Sequence, residues 1–226
     1  MTEPATKERL ELIYTNLLNH YGPQHWWPGE ESFEVMVGAV LTQSCNWGNV
    51  VKAINNLKKS DALSPQALRQ IGLEELSRLI RPSGYHNAKA LKLKTLAAWL
   101  GERCHDNIER LANYDTEELR RMLLAIYGIG EETADSILLY ALGKPVFVID
   151  TYTRRILNRL GIKFKGDRYR DYQALFMAKL PHDTRLFNEY HALLVRLGKD
   201  VCRKEPACPK CCLAAQCNRN RLAGAK

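Results

Sequence analysis

Apolar residues recur at three- and four-residue spacing along almost the whole chain, and no stretch alternates apolar with polar for more than a few positions. Such a sequence buries its apolar surface through helices and offers little for a sheet. Leu10, Ile13, Leu17 and Leu18 mark one face of a first helix that stops near Tyr21-Gly22-Pro23. Phe33 to Leu41 is apolar nearly all round, as a buried central helix is, and a third helix is expected from Asn46 to about Leu57. Short helices follow at Pro65 to Ile71 and Leu73 to Ile80, and a longer one at Asn87 to Cys104. Asp115 or Thr116 can cap a helix from Glu117 to Ala125; Gly128 and Gly130 break it, and the next runs to Leu142. Val146 to Ile149 is too short an apolar run to signal a sheet. Helices resume at Thr151 to Leu160, Tyr169 to Leu180 and Thr184 to Leu197. The reading is all-α, and 226 residues suffice for one large domain or two modest ones.

Charge narrows the partner. Lys and Arg number 33 against 25 Asp and Glu, a formal +8, which favours a polyanion. From Val201 onward Arg203, Lys204, Lys210, Arg219, Arg221 and Lys226 face only Glu205, so +5 of that total sits at one end. No apolar run approaches the roughly 18 residues of a spanning helix. The polar start, Met1 to Glu11, lacks an apolar leader core, so a cytoplasmic, nucleoid-associated protein is expected.

Five of the seven cysteines, Cys202, Cys208, Cys211, Cys212 and Cys217, crowd into the last quarter of the chain. An odd count without a leader argues for metal thiolates rather than a disulfide framework. Cys202, Cys208, Cys211 and Cys217 have the spacing C-x5-C-x2-C-x5-C, which suits one compact centre, zinc or a [4Fe–4S] cluster. Cys212 is then a spare thiol.

Ile126-Tyr127-Gly128-Ile129-Gly130 joins two helices through a tight turn. Glycines allow close backbone approach, and amides opening the second helix suit an anion such as a DNA phosphate. The same pattern also describes a cap glycine and an ordinary turn. Asp150 follows an apolar run and opens a helix carrying Arg154, Arg155 and Arg159, a position that suits an N-cap and equally a carboxylate presented to a cleft. Trp26, Trp27 and Trp47 lie near the ends of the second and third helices. Indoles there can sandwich an extruded cationic base or simply pack a core.

The stretch LLAIYGIGEETADSILLYALGKPVFVIDTYTRRILNRLG resembles the helix-hairpin-helix and Gly/Pro-Asp signature of the endonuclease III superfamily of DNA base-excision glycosylases. LTQSCNW (Leu41 to Trp47) and the terminal cysteines extend the resemblance over nearly the whole chain. It implies a two-lobed fold with the cleft between the lobes. Residues 25–148 would form a six-helix bundle holding the hairpin (about 116–142), and 1–24 with 149–226 a discontinuous helical domain ending in the cysteine loop (202–217). It implies catalysis by Asp150, Gln43 filling the gap left in the duplex, and phosphate contacts from Ile126, Gly128, Ile129, Gly130, Lys89, Arg154 and Arg155. The cofactor it implies is a [4Fe–4S] cluster on Cys202, Cys208, Cys211 and Cys217, and it allows a monovalent cation at the hairpin. The first cysteine gap is five residues where the superfamily usually has six. The partner would be double-stranded DNA with a damaged base, bound by a monomer away from membranes.

The decisive departure is Glu132, which stands where bifunctional members carry the lysine that forms a Schiff base. A glutamate cannot form an imine, and Lys144 matches no family nucleophile, so a monofunctional enzyme using water is expected. Trp-Trp-Pro, Arg81-Pro82-Ser83-Gly84-Tyr85 and Gly-Ile-Gly-x-Glu-x-Ala-Asp are similar to the endonuclease III-like 3-methyladenine glycosylases, which implies a base pocket at Trp27, Pro28 and Trp47. The alternatives are a thymine, uracil or adenine mismatch enzyme, an oxidised-pyrimidine enzyme, and a non-catalytic DNA-binding module. Adenine-excising members usually add a C-terminal domain, and only nine residues follow Cys217 here.

Overall fold

A computed structural model describes residues 3–4, 6–29 and 31–218; Arg219, Arg221 and Lys226 of the basic terminus lie outside them. The chain is mostly helical. In order, the helices are α1 (Lys7–Tyr21), α2 (Ser32–Leu41), α3 (Trp47–Lys59), α4 (Pro65–Gln70), α5 (Leu73–Leu79), α6 (His86–Cys104), α7 (Thr116–Leu124), α8 (Glu131–Ser136), α9 (Thr151–Leu160), α10 (Tyr169–Lys179) and α11 (Thr184–Asp200). Several starts are set by a side chain that accepts an otherwise orphan amide. Thr6 caps α1, Asn46 α3, Ser64 α4, Asp115 α7, Asp150 α9 and Asp183 α11.

Two compact units emerge: Trp27–Lys144, and the residues up to Trp26 joined with those from Pro145 onward. The central unit holds α2 to α8. Residues Phe33 to Leu41 of α2 are all buried, as an apolar helix without a polar face must be. Helices α3, α6 and α8 pack against it, and α4 and α5 pack on α6. Buried Glu34 is matched by Lys58 at 3.0 Å. Helix α8 continues into a wider π turn, Ile137–Ala141. The sequence pattern, which suggests one helix to Leu142, does not report that change of pitch.

The other unit packs α11 against α9 and α1. Its core is aromatic: Phe147 stacks on Phe176 with centroids 3.8 Å apart, and Phe187 and Tyr190 meet Phe147 edge-on. Phe147 is fully buried, and its truncation to alanine would cost about 3–5 kcal/mol. The extended run leading to Asp150 is fastened through Ile149 N–H to Tyr169 Oη (3.2 Å) and Gln173 Nε2 to the Phe147 carbonyl (2.8 Å). Glu3–Pro4 pairs with Ile162–Lys163 as a two-residue parallel bridge, too short for any sequence alternation to announce.

Candidate active site

In the central unit the turn between α7 and α8 rests on two glycines. Gly128 has φ +78°, where a side chain is strained, and a Cβ there would also collide with the Lys92 stem. Ile126 and Ile129 are buried anchors, with the Ile129 amide closing onto the Ile126 carbonyl at 3.1 Å, while Tyr127 is exposed. The amides of Gly128 and Gly130 have no acceptor among the described residues, which leaves two donors for an external anion. Arg120 braces the helices by a two-pronged bond from Nε and Nη2 to Asp135 (2.7 and 3.0 Å). Glu132, in the first turn of α8, is exposed.

Gln43, just beyond α2, is tied into this turn. Its Nε2 donates to the Gly128 carbonyl (3.0 Å) and Thr133 Oγ1 (2.9 Å), and its Oε1 accepts from Lys92 Nζ (2.6 Å). Trp27 meets Trp47 edge-on and Tyr140 at a tilt, both at 5.2 Å between centroids. Gly38 of α2 makes the seat for that indole, since a Cβ would stand 3.0 Å from Trp27 Cζ2. Trp27, Trp47 and Tyr140 are half-buried and Pro28 is exposed.

In the other unit Asp150 is buried at the start of α9. Its Oδ1 accepts the Thr153 amide at 2.7 Å, and its Oδ2 lies 3.8 Å from His191 Nε2 of α11. Burial lowers the His191 pKa, with the Asp150 charge pulling the other way. Burial likewise raises the Tyr190 phenol, whose hydroxyl donates to the Leu10 carbonyl at 2.8 Å.

Cys202, Cys208, Cys211 and Cys217 line one small cavity with Arg159, Val201, Pro206 and Ala214; Cys212 is outside it. Arg159 Nη1 donates to Cys202 Sγ (3.3 Å), and its guanidinium also holds the Arg203 and Lys204 carbonyls. Burial pushes the Cys211 thiol up to about 11. Among the described residues, no three His, Cys, Asp or Glu side chains are gathered closely enough to hold a single metal ion.

Residues 37–182, from α2 into the loop after α10, match the profile of HhH-GPD superfamily base excision DNA repair proteins.

The chain belongs to the HhH-GPD superfamily.

A Methanocaldococcus jannaschii protein that carries a provisional DNA repair glycosylase name is 43% identical over 93% of this chain and 96% of its own. Endonuclease III of Sulfolobus acidocaldarius is 29% identical over 82% of this chain and 81% of its own. Among solved structures, H. pylori 3-methyladenine DNA glycosylase bound to 1,N6-ethenoadenine aligns with a TM-score of 0.71 at 29% identity, covering 84% of this chain and 95% of that one. A non-covalent endonuclease III–DNA complex aligns with a TM-score of 0.83 at 24% identity, over 98% and 99%, which shows the shared fold. As an HhH-GPD protein the chain is a base excision repair DNA glycosylase, a hydrolase of N-glycosyl bonds that acts on DNA. No helix among the described residues is long and apolar enough to cross a membrane.

Of the expected phosphate contacts of this HhH-GPD chain, that of Lys89 is corrected. Lys89 is 2% exposed, and its Nζ donates to the Leu41 and Ser83 carbonyls (2.8 and 2.7 Å). It fastens the end of α2 from inside the core, at the cost of a pKa lowered by burial. Arg155 donates from Nε to the Cys202 carbonyl and from Nη2 to that of Gly198 (2.8 and 2.9 Å), so it braces the end of α11. Arg154 lies over the Tyr172 ring, 5.1 Å from its centroid. Lys144 is engaged too, with Nζ bonded to the Ala112 and Tyr114 carbonyls. The sequence reading missed His191 and Lys92, which look in sequence like ordinary helix residues; only the fold brings them to Asp150 and Gln43.

Proposed function

We propose that this glycosylase is monofunctional and removes an alkylated purine of the 3-methyladenine class, using water and leaving an abasic strand. The observation that carries the reading is the carboxylate at Glu132, where an imine-forming enzyme needs an amine. The amines of Lys144 and Lys92 already bond protein oxygens, which supports it further. The base must leave the stack before its glycosidic bond can be reached. Gln43 then serves the gap, and Trp27, Pro28, Trp47 and Tyr140 receive the base.

Cleavage makes the deoxyribose cationic at C1′. Asp150 answers that charge, with Oδ1 held by the Thr153 amide and Oδ2 left for the sugar or for the attacking water; a fixed group of this kind is worth about 10²–10³ in rate. An N3-alkylated adenine is already positive, so it departs without a separate general acid. Its charge also favours aromatic faces by about 0.5–2 kcal/mol. The relative from H. pylori, described with a modified adenine bound, supports the purine choice.

The donor set of Cys202, Cys208, Cys211 and Cys217 fits a [4Fe–4S] cluster. The four thiols share one cavity and the fifth does not. The cluster would cross-link the loop. Arg159 orders the loop's first turn, and the exposed Arg203, Lys204 and Lys210 then meet the DNA backbone, giving salt-dependent affinity without sequence preference.

Duplexes carrying alkylated, oxidised, deaminated and mismatched bases test the reading. Release of free 3-methyladenine, lost by about 10²-fold or more in Asp150→Asn, is expected. Release of only an oxidised pyrimidine or a mismatched base would contradict it, and no release of any base would leave a DNA-binding module.

A further inference from the structure

Asp150 and His191 lie side by side inside one unit, both largely buried. Their side chains are 11% and 7% exposed, and Asp150 Oδ2 is 3.8 Å from His191 Nε2. That separation is beyond a direct hydrogen bond but close enough for the charge state of one to govern the other. The ring of His191 stands edge-on to Phe147, 6.5 Å between centroids, and Phe147 is itself clamped by Phe176 and Phe187. His191 thus borders the aromatic core on the side of Phe147. Thr153 Oγ1, fully buried one turn into α9, has no partner among the described residues, so polar capacity at this spot exceeds what the protein uses.

We propose that His191 gates Asp150 by its charge: a neutral imidazole packed beside the carboxylate leaves its negative charge uncompensated, and the same ring silences the carboxylate when it takes up a proton. The inference rests on Asp150 being the charge-stabilising group. An imidazolium at 3.8 Å would pair with Oδ2 and cancel the field that the sugar cation needs. A neutral ring gives the same packing and no competing charge. Burial lowers the His191 pKa more than Asp150 raises it, so the ring is neutral at pH 7 and charges only on acidification.

Asp150 is the charged group that acts on His191. From α9, Arg154 turns to the Tyr172 ring, and Arg155 to the Tyr152 ring and the last carbonyls of α11. From α1, Tyr14 meets the Tyr190 ring at 5.2 Å. From α10, Tyr169 accepts the Ile149 amide. The acid limb of the excision rate accordingly belongs to His191 acting on Asp150.

Two measurements on the full chain test this. Nitrogen NMR titration of the imidazoles, with His191 assigned by its loss in His191→Gln, should show it titrating below the usual histidine value of about 6.5, and lower still in Asp150→Asn, where the charge that favours its proton is gone. An unchanged His191 titration in Asp150→Asn would overturn the proposal, and this arm needs neither substrate nor turnover. Single-turnover release of 3-methyladenine from methylated duplex should keep its plateau within about threefold in His191→Gln, while the acid limb moves down by about one pH unit or more. An unmoved limb, or an equal loss at every pH, would assign His191 a merely structural role. Asp150→Asn separates the two failures: if it retains excision, the assignment of Asp150 is wrong; if it loses excision while His191→Gln leaves the limb in place, only the role of His191 is.

Discussion

Lys92 Nζ lies 2.6 Å from Gln43 Oε1, and this contact fixes which way the Gln43 amide faces. An ammonium has donors only, so the carbonyl end must point to it. The amide nitrogen then donates to the Gly128 carbonyl and Thr133 Oγ1. One side chain therefore joins α6, the loop after α2 and the glycine turn. Because the Lys92 stem also fills the space a Gly128 side chain would take, Lys92→Met should keep that packing and lose only the bond, costing about 1 kcal/mol. Urea unfolding measures it. Gly128→Ala, which adds backbone strain at positive φ, should cost more than Lys92→Met.

The buried ammonium of Lys89 releases no counterions. Lys89→Met should leave the slope of log binding constant against log salt unchanged on duplex DNA, while lowering stability because two buried carbonyls lose their donor. Arg203→Ala or Lys210→Ala, on the exposed cysteine loop, should reduce that slope by about 0.9 each without unfolding the protein.

His191 also links stability to pH. Its folded pKa lies below the unfolded value, so the unfolded chain binds the proton more readily. The stability it contributes is complete above about pH 6.5 and is lost as pH falls from there through the folded value. Thermal unfolding between pH 7 and pH 5 should therefore show a steeper loss for the natural chain than for His191→Gln.

The contrast between these residues shows what the sequence carries. Helix α9 is legible to its last residue because Asp150 and Gly161 punctuate both ends; α2 is legible because it is apolar all round. The π turn at Ile137–Ala141 is not, since it changes backbone pitch without changing composition. The resemblance places Lys89 at the DNA phosphates, and only the fold shows the two buried carbonyls that receive it. Gln43–Lys92 and Asp150–His191 join residues from distant helices, and no local periodicity encodes such pairs. The cysteine spacing named a donor set, and the fold adds that four of those thiols share a cavity.

Borohydride reduction during turnover tests the central claim most directly. With a duplex from which the protein releases 3-methyladenine, the account predicts free base, an intact abasic strand and no protein–DNA adduct, because Glu132 occupies the place of the Schiff-base amine. A covalent adduct reduced onto any lysine of the chain, with strand cleavage at the lesion, would contradict it.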